Sequence, residues 1–218
     1  MFSAKKQCYN PYDVSSTHTF LFMEVPQKMM NSYLEYISGP TDRRLTIALI
    51  SLLENQSLDE VSIKDILRES GVSRSTFYRR YRDKYDLLNK NYQCLLDNTI
   101  NRIATGFSYK KAFFSLYEAL REYPAFFRNA LSSNDPNGLK EYIYRESYRM
   151  YSELLSMEGF DMKSAYNELL LTGYLRGALE VTCEWAASGM DQSLEMLFEI
   201  SYELIPHQIQ RCLAVHYM

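Results

Sequence analysis

The sequence predicts an all-α protein. Apolar residues recur at intervals of three and four along most of the chain, which is the spacing of one face of a helix. The 218 residues include only 8 glycines and 6 prolines, so long stretches are free of helix breakers. Hydrophobic residues make up 46% and charged residues 23%, which is ordinary for a folded globular chain. The length suits one small module followed by a domain with its own core, or a single larger domain.

The first part of the chain is predicted to have little regular structure. Residues 1–40 show no sustained periodicity and end in Ser38-Gly39-Pro40, so we interpret them as a poorly ordered extension, with at most a short helix near residues 29–37. From Thr41, which is expected to cap the first helix, leucines repeat at three and four to about Asn55.

Two short helices joined by a tight turn follow. Ser62 is predicted to cap the first of them, with Asp65 at the capping-box position, and Gly71 is a helix stop. Ser73 is predicted to cap the second, which carries Phe77 on its inner side, as does Tyr81 one turn later. Two packed helices of this kind form a helix-turn-helix, here at residues 62–82.

Further helices are predicted from the same periodicity and from the breaks between them. One begins at Lys84 and continues to about Ile103. The others are expected near residues 108–122, 125–132, 139–156, 162–188 and 191–205, with a last stretch to about residue 215.

The outer face of the second short helix is rich in hydrogen-bonding side chains. A helix that reads the major groove needs such a face, since short hydroxyls approach base edges and basic groups reach guanine or phosphate. We therefore expect Arg74, Ser75 and Thr76 to face bases and Tyr78, Arg79, Arg80 and Lys84 to face the backbone. Thr41 and Ser62, at two helix starts, complete the predicted DNA-binding set. The alternative is a solvated basic face on an ordinary helical domain.

The charge distribution supports an interaction with double-stranded DNA. The net charge of the whole chain is −3, which argues mildly against a nucleic acid as partner. Residues 73–92, however, carry six basic groups against Asp83 and Asp86, while residues 101–218 have a net charge of −4. Because charges beyond about 10 Å are screened at physiological salt, the local excess decides the attraction to phosphate.

Residues 41–88 resemble the N-terminal domain of the tetracycline-repressor (TetR) family of transcriptional regulators. The matching motifs are Val61-Ser62-Ile63, Gly71-Val72-Ser73, Thr76-Phe77-Tyr78, and Tyr81 followed by Lys84 and Leu87-Leu88. The resemblance implies phosphate contacts by Tyr78 and Lys84 and base contacts by Arg74, Ser75 and Thr76. The sequence departs from the family at Arg80, where many members have histidine, and at Gln56, where glycine is frequent.

The remainder, residues 89–218, is predicted to be a helical regulatory and dimerisation domain. Segments 127–139 and 173–190 resemble, more loosely, a C-terminal type found in the same family, which implies a homodimer on a palindromic operator, most often as a repressor that responds to a small molecule. The predicted interface consists of Gly173, Gly177, Ala178, Leu194, Leu197 and Phe198; packing within one subunit is the alternative.

Residues 107–151 are crowded with aromatic side chains. They form either a ligand pocket with tyrosine hydroxyls as anchors or a core that happens to be aromatic, and the same holds for Trp185. The predicted ligand-binding residues are Phe114, Tyr117, Phe127, Tyr148, Tyr151 and Trp185.

Other classes of function find little support. The four cysteines lack metal-ligand spacing, the three histidines are dispersed, and no phosphate loop or nucleophile motif occurs, so no metal, cofactor or enzymatic activity is expected. No apolar run has the roughly 18 residues of a membrane span, and a cytoplasmic protein is expected. The alternative function is a helical interaction module that recruits a protein partner without a small-molecule inducer.

Overall fold

The computed structural model describes residues 33–37, 39–105 and 108–213, and every regular element in these ranges is helical. Eleven α-helices are described, together with one 3-10 helix, Ile100–Thr105. The α-helices are α1 (Tyr33–Tyr36), α2 (Pro40–Leu53), α3 (Ile63–Ser70), α4 (Arg74–Arg80), α5 (Lys84–Asn98), α6 (Tyr109–Arg121), α7 (Pro124–Leu131), α8 (Leu139–Met157), α9 (Ala165–Ala187), α10 (Leu194–Glu203) and α11 (His207–Leu213). The all-α prediction is confirmed.

The boundaries around the helix-turn-helix follow local sequence signals. Ser62 and Asp65 form the predicted capping box at the start of α3, and Ser73 caps α4 through the backbone N–H of Thr76. Gly71 ends α3 in the left-handed region, with a φ of 61°. The predicted cap at Thr41 is wrong, because α2 starts one residue earlier at Pro40 and Gly39 holds the cap position.

Only a small part of the predicted N-terminal extension lies within the described residues. Residues 1–32 and 38 are outside them, but α1 packs into the protein. The Tyr33 ring is fully buried, with its centroid 5.3 Å from that of Phe127 and 5.9 Å from that of Phe126. Residues 33–37 therefore contribute to the core, because an aromatic cluster on α7 accepts them.

One hydrophobic core runs from the helix-turn-helix into the C-terminal helices. It includes Phe77 of α4, Leu87 of α5, Phe127 of α7 and Trp185 of α9. A second cluster joins α8, α9 and the last helices around Leu155. The helices predicted for the C-terminal half are confirmed, and each described end lies within three residues of the predicted one. The predicted helix from Lys84 to Ile103 is shorter, since α5 ends at Asn98.

None of the helices in the described ranges is both long and apolar enough to cross a membrane.

Candidate functional site

Helix α4 turns a polar face outward and an aromatic side inward, as predicted. Phe77 is fully buried and Tyr81, which follows the helix, is almost fully buried. The side chains of Arg74, Ser75 and Arg79 are exposed, and Tyr78 keeps 44% of its surface exposed. A large aromatic side chain so exposed next to three polar groups is the kind of surface that contacts a nucleic acid.

The N-terminus of α4 holds a cluster of three hydroxyl groups. Ser73 Oγ accepts the backbone N–H of Thr76 at 3.2 Å and donates to Thr76 Oγ1 at 2.9 Å. Ser75 Oγ lies 3.1 Å from Ser73 Oγ. Because the cap fixes Ser73, the two neighbouring hydroxyls are oriented before any ligand arrives, and Thr76 Oγ1 can still donate its own proton.

The two outward arginines of α4 are available for contacts. The Arg74 guanidinium lies over the Tyr78 ring, 5.4 Å from its centroid, which holds both side chains against the same face of the helix. Within the described residues neither Arg74 nor Arg79 has a carboxylate partner. Their charges are therefore not neutralised within the described part of the chain.

Arg80 is held by the first helix of the domain. Its Nη1 atom donates to Asp42 Oδ2 at 2.9 Å, and the Tyr81 hydroxyl donates to Asp42 Oδ1 at 2.7 Å. The pair ties the end of α4 to the first turn of α2. A phosphate contact by Arg80, as predicted, would have to share this guanidinium with Asp42.

The structure gives Lys84 a role that differs from the predicted phosphate contact. Its ammonium donates to the carbonyl oxygens of Leu58 at 2.7 Å, Asp59 at 3.0 Å and Val61 at 2.8 Å. All three protons of the ammonium are thus used within the chain, and burial lowers the pKa of Lys84. The sequence gives no sign of this, because the carbonyls belong to an irregular turn.

Two further residues of the predicted DNA-binding set lie at helix starts. Ser62 is exposed, but its hydroxyl donates to the Asp65 carboxylate and accepts the Asp65 backbone N–H at 3.2 Å. Thr41 is half-buried in the first turn of α2. Their DNA contacts stay predictions.

The helices α5, α6, α8 and α9 form a partly open cavity of about 130 Å³. Of the predicted ligand-binding residues only Tyr117 and Tyr151 line it. Phe127 is fully buried against Tyr33, and Trp185 packs on Tyr117 with a centroid distance of 5.4 Å. Phe114 packs on Phe198 and Tyr148 lies beside Tyr144. Phe127 and Trp185 thus belong to the buried core, whereas Phe114 and Tyr148 are half-buried and pack against it.

The predicted interface residues divide into two groups. Gly173 and Gly177 lie on a side of α9 where a Cβ atom would meet nothing within 4 Å. Leu194 and Leu197 are instead buried within the subunit, and Phe198 packs on Phe113. Ala178 is half-buried against the second core cluster. The apolar face of α10 is therefore used inside one subunit.

Comparison with known proteins yields matches for both the helix-turn-helix and the C-terminal helices. A family model described as "Bacterial regulatory proteins, tetR family" matches residues 48–90, and one described as "Transcriptional regulator C-terminal region" matches residues 108–207. The solved structure of "Dihydroxyacetone kinase operon activator DhaS" is similar with a TM-score of 0.51 at 17% identity, over 78% of this chain and 97% of that chain. No curated protein matches the sequence.

The fold and the two matched segments define a DNA-binding transcriptional regulator with a helix-turn-helix and a helical C-terminal region. The chain belongs to the TetR family.

Proposed function

We propose that this protein is a ligand-responsive repressor that acts in the cytoplasm as a homodimer on a palindromic operator. The observation that carries the DNA-binding part is the outer face of α4, where Arg74, Ser75 and Tyr78 are exposed next to the unpaired Arg79. Proteins of this family are generally not enzymes, so binding equilibria are the quantities to measure.

The operator can be identified by selecting duplexes from a random pool with the purified protein. We expect a palindromic motif, because two copies related by a twofold axis present two α4 helices to one duplex. Arg74→Ala should relax the selected sequence at one position of each half-site, since a side chain that contacts a base carries sequence information. Lys163→Ala removes a positive charge from an exposed site on the α8–α9 connection and serves as the control.

The outcome of the selection separates two functions. A defined palindrome supports the proposal. A pool without any enriched motif would support the alternative, an interaction module that recruits a protein partner.

The homodimer is proposed to form through α9. Tyr166 and Leu169 are 62% and 71% exposed, and on the same helix Gly173 and Gly177 leave room for close approach of a second helix. Leu169→Lys should shift the protein from dimer to monomer in analytical ultracentrifugation, because it places a charge in the interface. Ile47→Lys changes another exposed apolar residue, on α2, and should leave the dimer intact. A dimer that survives Leu169→Lys contradicts this choice of face.

The sign of regulation needs its own measurement. The similar solved structure is named an activator, and at 17% identity the likeness concerns the fold. A reporter gene behind the selected operator should be expressed less when the protein is present. Higher expression would assign an activator.

A further inference from the structure

One wall residue of the cavity between α5, α6, α8 and α9 carries a buried hydroxyl group. Tyr92 of α5 lines the cavity and is 3% exposed, yet no hydrogen-bond partner of its hydroxyl is found among the described residues. Buried hydroxyl groups are almost always paired, because an unmade hydrogen bond costs free energy once water has been removed. The hydroxyl is therefore available to a molecule inside the cavity.

Two of the other tyrosine hydroxyl groups around the cavity already have partners. Tyr117 Oη lies 2.7 Å from Thr182 Oγ1, and Tyr151 Oη lies 3.2 Å from Tyr174 Oη. Each pair joins two helices and leaves the aromatic rings as walls. Tyr92 is thus distinguished from the tyrosines that hold the cavity together.

The charges near the cavity compensate each other. Glu146 and Arg149 both line it, and they form an ion pair with an N–O distance of 2.9 Å. Burial raises the pKa of Tyr92, so its hydroxyl stays protonated at neutral pH and can both donate and accept. A charged ligand would find no unpaired opposite charge among these groups, and its desolvation would be uncompensated.

The size and the walls of the cavity favour a single ring. An apolar cavity of roughly 150 Å³ accommodates benzene, and the volume here is about 130 Å³. The rings of Phe113 and Tyr117 stack at a centroid distance of 4.1 Å and form one flat wall, and Leu175 and Leu179 of α9 also line the space. Aromatic and aliphatic walls of this kind bury a ring favourably.

We propose that this cavity binds a small, uncharged, single-ring compound with one hydrogen-bonding group, such as a phenol, and that Tyr92 selects it through its hydroxyl. The inference rests on the ligand response proposed above and names its chemical class. The cavity is also connected to the DNA-binding domain through α5. Tyr92 lies on this helix, and its first residue, Lys84, holds the turn before α3 by hydrogen bonds.

Binding is tested on the full chain in the absence of DNA, by isothermal titration calorimetry with phenol, toluene and benzoate. Trp185, the one tryptophan of the sequence, contacts the cavity wall at Tyr117 and gives a second readout by fluorescence. We expect phenol to bind more tightly than toluene, and benzoate to bind least. Tyr92→Phe should weaken phenol binding by roughly tenfold and leave toluene binding unchanged, which is the effect of one lost hydrogen bond.

Tyr33→Phe is a matched control. Tyr33 is also fully buried with an unpaired hydroxyl, but it lies under α7 and does not line the cavity. It should leave binding of all three probes unchanged. The proposal is overturned if no probe binds, which would leave a water-filled cavity, if benzoate binds as well as phenol, or if Tyr92→Phe has no effect. None of these results depends on DNA, so failure here and failure of the operator selection are separate outcomes.

Discussion

The helix-turn-helix and the C-terminal helices were equally clear as helices in the sequence, but only in the first did the sequence also show which side chains face inward. In residues 62–82, Ser62, Gly71 and Ser73 mark three of the four helix ends, and Phe77 meets partners that are close along the chain. In the C-terminal half, Phe127 contacts Tyr33, and Trp185 contacts Tyr117. Local signals specify a helix, whereas the face that it buries depends on distant elements.

The largest expected effect concerns an aromatic residue that the sequence suggested for ligand binding. Phe127→Ala should lower the free energy of unfolding by about 3–5 kcal/mol, because it leaves a void in the fully buried cluster with Tyr33 and Phe126. Chemical denaturation measures this loss. Phe114→Ala removes a half-buried ring and should cost clearly less. If Phe127→Ala lowers the free energy of unfolding only slightly and weakens phenol binding, Phe127 belongs to the ligand site.

The sequence predicted the fold class, the order of the helices and the polar face of α4, because caps, glycine and spacing act over one or two turns. The sequence could not predict which distant groups a side chain contacts. Lys84 has the same sequence neighbours whether it meets a phosphate or three carbonyls of the preceding turn. Leu194 and Leu197 show a face that suits a dimer, and only the packing of α10 on α6 and α9 buries them in one subunit.

The second prediction tests whether Lys84 acts in stability or in DNA binding. Lys84→Met should lower the free energy of unfolding by about 2 kcal/mol, since it removes hydrogen bonds from a charged donor and leaves carbonyls without partners. Lys64→Met changes an exposed lysine of α3 and should have little effect on stability. If Lys84→Met keeps full stability and reduces only the salt dependence of DNA binding, the phosphate contact expected from the family resemblance is correct.

The third prediction compares the same substitution in the two regions. Gly71→Ala should destabilise the protein by about 1–2 kcal/mol, because its φ of 61° disfavours a side chain and the new Cβ would lie 2.9 Å from Arg44 Nη2. Gly173→Ala lies inside helix α9 with open space around it, so it should stabilise an isolated subunit by about 0.5–1 kcal/mol. Denaturation at low protein concentration measures both. If both substitutions change the free energy of unfolding in the same direction, the difference between the two glycines is wrong: Gly71 would not be required by the turn, or Gly173 would not lie in open space.

The smallest expected change in stability is at the pair between α2 and α4. Asp42→Asn should cost only about 0.2–1 kcal/mol, because the Arg80–Asp42 pair is partly exposed and an asparagine oxygen can still accept from Tyr81. The same change removes a negative charge beside the DNA-facing helix and releases the Arg80 guanidinium. Affinity for the selected operator should therefore rise severalfold, with a steeper salt dependence, as measured by fluorescence anisotropy. Glu199→Gln, an equal charge change on the exposed side of α10, should leave DNA affinity unchanged. An Asp42→Asn variant that binds DNA more weakly would show that holding α4 against α2 matters more than freeing its last arginine.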